Sequence, residues 1–162
     1  IGGSFSINGK LQEGILGRAG HFGHTCIDPY GKLGIKNTPG SIESFFGEYN
    51  IYERTKGKFK STFDLVKSYI KGDKEAKKLW LRQVYLLACS ITSFINILDP
   101  ELVLLGGGIS EANKALLNPL KKFMKEIEWR PFNKEEGVDI KISSLKNKAG
   151  ALGAIYYSIN NS

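Results

Sequence analysis

Asp99-Pro100-Glu101-Leu102-Val103-Leu104-Leu105-Gly106-Gly107-Gly108-Ile109-Ser110 is the stretch on which the fold turns. A residue before proline is pushed out of the α region, so Asp99-Pro100 must end the helix that precedes it. Glu101 to Leu105 is a short apolar run, the pattern of a buried strand. Three glycines follow, and Ser110 opens a helix. A strand, a glycine turn and a helix start suit a phosphate-bearing ligand. Glycine lets the ligand reach the backbone, and the helix start offers free N–H groups. The same glycines would also suit tight packing of the helix on the strand. The turn is no Walker loop, since no Gly-Lys-Ser/Thr follows. It is no dinucleotide fingerprint either, because position 111 is Glu.

Working outward, Ala76, Leu79, Trp80, Val84, Leu87, Ala88, Ile91, Phe94, Ile95 and Leu98 recur at three and four residues, the stripe of a long packed helix capped by Asp73. A shorter helix before it is capped by Ser61, with Asp64 at the third position, and ends at Gly72. Downstream of the glycines, Asn118-Pro119 predicts a break or kink in the next helix. Val138, Ile140 and Ile142 alternate with Asp139 and Lys141 as a strand does. Ala149 to Ile159 reads as a final helix. At the other end, Ser4 to Glu13 reads as a hairpin turning at Asn8-Gly9, a pair suited to positive φ. Residues 14–58 are loop-rich, with nine glycines. The order predicts an α/β domain with a mixed sheet and helices packed on it, running over residues 1–162 as one domain.

Composition narrows the classes. The 162 residues are 41% hydrophobic and 24% charged, which excludes a disordered tail, a collagen repeat and a coiled coil. No apolar run reaches about 18 residues, so no membrane-spanning helix and no membrane partner is expected. Cys26 and Cys89 form no Cys-x-x-Cys pair, which argues against a disulfide scaffold or a cysteine zinc site and suits a reduced, cytoplasmic setting. The only methionine is Met124 and the chain opens Ile1-Gly2-Gly3, so it reads as part of a longer protein. The net charge is +7, and residues 54–78 carry nine Lys/Arg against three acids. That stretch suits a solvated helical face, a face docked on an acidic neighbour, or phosphate contacts with nucleic acid, although no base-reading motif accompanies it.

The candidate chemistry lies in the loop region. Gly20-His21-Phe22-Gly23-His24 holds both histidines of the chain, and Glu43 follows nineteen residues after His24. Imidazoles in a glycine-flanked loop can hydrogen-bond hydroxyls, bind metal or move protons, and a carboxylate can accept from two hydroxyls at once. They can equally be structural loop histidines. A zinc site lacks ligands, with only Cys26 and Asp28 nearby. Gly2 and Gly3, entering the hairpin, suit backbone approach to phosphate or simply begin the chain. No Ser-His-Asp arrangement is readable.

These runs together resemble the C-terminal lobe of ROK proteins (repressors, open reading frames and sugar kinases), from Ile1 to about Ile159. Ile1-Gly2-Gly3 with Ile7-Asn8-Gly9-Lys10-Leu11 resembles the family's phosphate-contacting hairpin. Gly17-Arg18-Ala19-Gly20-His21-Phe22-Gly23-His24 resembles its Ala-Gly-Glu-x-Gly-His run, and Gly40-Ser41-Ile42-Glu43 its Gly-Cys-Leu-Glu. Asp99-Pro100-Glu101 through Ser110 resembles the adenosine-binding segment, and Ala149-Gly150-Ala151-Leu152-Gly153-Ala154 the closing helix. The resemblance implies the actin/hexokinase-like (ribonuclease H-like) ATPase fold. It implies a kinase that moves the γ-phosphate of Mg2+-bound ATP to a hexose hydroxyl, glucose-like by default. His21, His24 and Glu43 would bind the sugar, and Gly2, Gly3, Gly106, Gly107 and Gly108 the nucleotide. The catalytic Asp would lie in an N-terminal lobe outside this chain, and a homodimer is common in the family. The family's zinc cysteines fall at Gly34, Lys36 and Ser41, so no zinc and no other metal site is expected, and the loop over residues 25–43 must be held by packing. His21 stands where a sugar-binding Glu is usual. The alternative is a sugar-responsive repressor with a DNA-binding segment upstream, the only reading in which nucleic acid is a partner. A third is a member that has lost sugar binding at His21.

Overall fold

A computed structural model of the chain describes residues 1–129, 137–145 and 148–160. It divides into two compact units, Ile1–Asp64 and Leu65–Ser162.

The first unit opens with a hairpin of β1 (Ser6–Ile7) and β2 (Lys10–Leu11), antiparallel in the register Ser6 to Leu11 and Ile7 to Lys10. Asn8 (φ 52°) and Gly9 (φ 75°) both turn left-handed, as a tight two-residue hairpin demands. A 3-10 turn at Phe22–His24 leads into a long loop and then α1 (Ile42–Phe46), a 3-10 turn at Glu48–Asn50, and α2 (Ile51–Arg54). Ile42, Phe46 and Ile51 form its core.

The loop before α1 is laced by its own backbone. Ile27 and Asp28 N–H both donate to Gly40 O (2.9 and 3.2 Å), Gly40 N–H donates to Lys32 O (3.0 Å), and Gly34 N–H donates to Thr38 O (3.0 Å). Gly40 sits at φ 43°, where a side chain would also collide with Asp28. Ser41 caps α1, its Oγ accepting from Ser44 N–H (3.2 Å). Side-chain packing is therefore not what holds this loop: backbone hydrogen bonds do.

α3 (Thr62–Ile70) straddles the boundary between the units. Ser61 Oγ accepts from Asp64 N–H (3.0 Å) at its start, and Gly72 at φ 88° closes it. In the second unit Asp73 caps α4 (Lys74–Leu98), accepting from Ala76 N–H (2.7 Å). Asp99 ends α4 in the left-handed region (φ 42°). The buried face of α4 is Ala76, Trp80, Val84, Ala88, Ile91 and Ile95, packed on Leu116, Leu120 and Met124 of α5 (Lys114–Ile127). Leu79, Leu87, Phe94 and Leu98 of the expected stripe are only half-buried. By length and composition α4 would also cross a membrane, which departs from the expectation; here its apolar face is the core of the unit.

β3 (Leu102–Leu105) and β4 (Asp139–Ile142) pair in parallel, Val103 opposite Ile140. Among the described residues the strands thus form two separate two-stranded sheets, one antiparallel and one parallel, rather than one mixed sheet. A 3-10 turn at Gly108–Ala112 leads from β3 into α5, and α6 (Ala149–Asn160) closes the chain.

The expected break at Pro119 is absent: α5 runs through it. Proline has no N–H, so the Ala115 carbonyl one turn earlier loses its helical donor. The buried indole of Trp80 supplies a replacement, donating to Ala115 O at 2.9 Å.

Candidate functional site

The Gly-His-Phe-Gly-His run is explained by what passes beneath it. A Cβ on Gly20 would stand 2.6 Å from Gly3 O, and one on Gly23 would stand 2.2 Å from Ile1 O. Both glycines are buried, and Gly20 also needs φ 84°. The opening segment Ile1–Ser4 therefore lies flush against the loop, which only glycine permits. Gly3 is under the same constraint, since a Cβ there would meet the Phe22 ring at 2.3 Å. The glycines clamp the backbone and leave the histidines outside it. His21 is exposed and His24 half-exposed, with their rings stacked at 6.0 Å between centroids and 21° between planes.

Glu43 comes to the same place by two routes. The turn Phe22–His24 packs on α1, and Ile42 N–H donates to Thr25 O (3.1 Å). Ile1 completes the arrangement: its nitrogen lies in ion-pair contact with Glu43 Oε2. The Glu43 side chain is half-buried at 19% exposed, and its Oε2 meets the Ile1 nitrogen and no other donor among the described residues. A carboxylate with few donors can still accept from a hydroxyl. So unit 1 brings His21, His24 and Glu43 into one neighbourhood from two separate runs of sequence.

Gly106, Gly107 and Gly108 lie in unit 2, exposed. A Cβ on Gly107 or Gly108 would meet nothing within 4 Å, so tight helix packing is not why these two are glycine. Gly107 is required by its φ of 71°. The space over both backbones is open, as approach by a ligand needs. Gly2 is likewise open, and Gly3 is exposed too, although a Cβ there would meet the Phe22 ring.

Sequence reading missed Gly47, which lies beside Glu43, and Arg54, which bonds the Gly47 carbonyl. Gly47 has an ordinary φ of −57°, so no turn pattern singles it out. Arg54 sits in a basic stretch where every cation reads alike.

The sequence profile of the ROK family matches residues 1–160. The chain belongs to the ROK family. It is 29% identical over 174 residues to a glucokinase of Thermotoga maritima, covering 95% of this chain and 53% of that one. A ROK family glucokinase from Streptomyces griseus, solved in complex with glucose and AMPPNP, superposes with a TM-score of 0.77 at 23% identity, over 94% of this chain and 55% of that one. A ROK family transcriptional regulator, a homologue of the E. coli MLC protein, superposes at 0.70 with 21% identity, over 87% and 38%. The α/β fold is the actin/hexokinase-like fold of these ROK structures. The chain spans about half the length of the relatives it matches.

Proposed function

We propose that this ROK chain is the C-terminal lobe of an ATP-dependent sugar kinase that phosphorylates a hexose hydroxyl, glucose-like by default. The observation that supports the reading is that the loop carrying the stacked His21 and His24 packs on α1, which carries the half-buried Glu43. Glu43 accepts from sugar hydroxyls, and the two imidazoles donate to or accept from others. The open backbone at Gly107 and Gly108 fits the adenosine side of ATP, with Gly106 alongside. Gly2 and Gly3 are exposed in unit 1 and suit phosphate approach on their own account. Mg2+ arrives with the nucleotide and neutralises its phosphates; the sugar residues position the hydroxyl for transfer. The base that takes the hydroxyl proton is an Asp of an N-terminal lobe, and closure of the lobes excludes water. The two free thiols, Cys26 and Cys89, suit a reduced cytoplasmic setting, and a homodimer is in keeping with the family. Zinc takes no part, because Gly34, Lys36 and Ser41 offer no thiolate. Metal analysis below about 0.1 equivalents per chain is the expected result.

The transcriptional regulator of the same fold keeps a second reading in play: a sugar-responsive repressor using the same loop. Coupled ADP release by the full-length protein separates the two. The panel is glucose, fructose, mannose, N-acetylmannosamine, N-acetylglucosamine and allose, each with Mg-ATP. Turnover on one sugar establishes a kinase. No turnover, with a sugar still raising the melting temperature, establishes a sensor. Neither response overturns the sugar site.

A further inference from the structure

Gly47 ends α1 with backbone angles that any residue adopts (φ −57°, ψ 139°), so its lack of a side chain has another cause. The cause is space. A Cβ there would stand 2.3 Å from Glu43 Oε1, 2.6 Å from Glu43 O and 2.7 Å from the Tyr49 ring. The Glu43 carboxylate lies directly over the bare backbone of a buried glycine.

The same glycine is held from its other end. Gly47 N–H donates to Glu43 O (2.6 Å), and Gly47 O accepts from Arg54 Nη1 (2.6 Å). Arg54 Nη1 also donates to Asn50 Oδ1, and Asn50 Nδ2 donates to Ser44 O (2.8 Å), back on α1. A single guanidinium nitrogen, Nη1, thus ties the Gly47 carbonyl to the Asn50 side chain, and through it to α1. This costs Arg54 its solvation. Burial pushes its guanidinium below the ordinary value, and Nε and Nη2 are buried without partners among the described residues. A buried cation with unmade hydrogen bonds is destabilising in itself, so a fold that keeps it gains something elsewhere.

We infer that Gly47 and Arg54 are positioning residues for the Glu43 carboxylate: Gly47 gives it room, and Arg54 fixes the turn on which it rests. This deepens the proposed sugar site and rests on Glu43 being a sugar ligand. Neither residue touches the sugar. They set where the carboxylate stands, and a shift of about 1 Å at such a group weakens recognition strongly.

The test is equilibrium binding by calorimetry on the full-length protein, with the tightest-binding sugar of the six named above as probe and Mg-AMPPNP as the control ligand. Gly47→Ala is expected to raise the sugar Kd at least about fivefold and to leave the Mg-AMPPNP Kd within about twofold. In a Glu43→Ala background the same change is expected to add clearly less than it does in the wild type, because the carboxylate it displaces is gone while the Glu43 carbonyl and the Tyr49 ring remain. Arg54→Met keeps much of the stem but removes both Nη1 bonds, and is expected to act in the same direction without inserting a Cβ at Gly47; it serves if Gly47→Ala fails to fold. An unchanged sugar Kd in both variants, while Glu43→Ala weakens binding, overturns the inference. So does a Gly47→Ala effect that adds in full to Glu43→Ala, since that marks general damage. An unchanged Kd in Glu43→Ala itself overturns the assignment of Glu43 to the sugar site, and the inference with it. The same holds if the wild type binds none of the six sugars.

Discussion

At the scale of the residue, Glu43 is the proposed centre of sugar recognition. Its Oε2 meets the Ile1 nitrogen and no other donor among the described residues, which leaves the carboxylate able to accept from a sugar hydroxyl. Glu43→Ala in the full-length protein is expected to raise the sugar KM at least about tenfold, about 1.4 kcal/mol or more of lost binding, with the Mg-ATP KM little changed. Steady-state kinetics with each substrate varied in turn checks this. An unchanged sugar KM in a folded variant takes Glu43 out of the site. The histidines and Glu43 were legible in the sequence because polar groups in a glycine-rich loop stand out. Their support was not. Gly20 and Gly23 read only as glycines flanking the histidines, yet they are contact points for Ile1 to Ser4. Gly3 read as a phosphate approach or a simple chain start, and its packing beside the Phe22 ring was not visible. Whether a glycine faces a ligand or a neighbouring backbone is a fact of three dimensions.

At the scale of the element, the caps were legible and the proline was not. Ser61 and Asp73 cap where the sequence places them because capping is local chemistry, settled within three residues. Pro119 read as a break because its missing N–H leaves the Ala115 carbonyl unpaired. The donor that repairs this comes from Trp80, on another helix and 35 residues away. Two changes separate the repair from simple packing. Trp80→Phe keeps most of the ring but removes the N–H, and is expected to cost about 1–3 kcal/mol for the stranded carbonyl, besides any loss of volume. Pro119→Ala restores a helical donor to Ala115 O. In that background Trp80→Phe is expected to cost less, by about 1 kcal/mol. Urea unfolding of the four variants reads the coupling directly. Additive costs would show that the indole acts by packing alone. The loop over residues 25–43 teaches the same lesson in reverse. Its sequence lacks the family's zinc cysteines, and it is held instead by backbone pairing in which Gly40 makes three hydrogen bonds, a pattern no side chain announces.

At the scale of the whole molecule, the division of labour decides what the chain can do by itself. Phosphoryl transfer is positioning and charge stabilisation, and it needs a sugar hydroxyl, a base for its proton and an oriented γ-phosphate together. The chain carries the proposed hydroxyl-binding residues in unit 1 and open glycine backbone in unit 2. Among the described residues no three His, Cys, Asp or Glu side chains gather to hold a metal ion. The proposed base belongs to sequence outside the chain, which spans about half of its relatives. The net charge of +7 is no substitute: lysines spread over residues 54–78 raise the local concentration of anions without orienting one phosphate. The 162-residue chain alone is therefore expected to release no ADP with any sugar of the panel, under conditions where the full-length protein turns over. The contrast matters because recognition and chemistry fail separately. A chain that releases ADP contains its own base, and Glu43, the half-buried carboxylate against the histidine loop, would then be the first residue to reassign from binding to proton transfer.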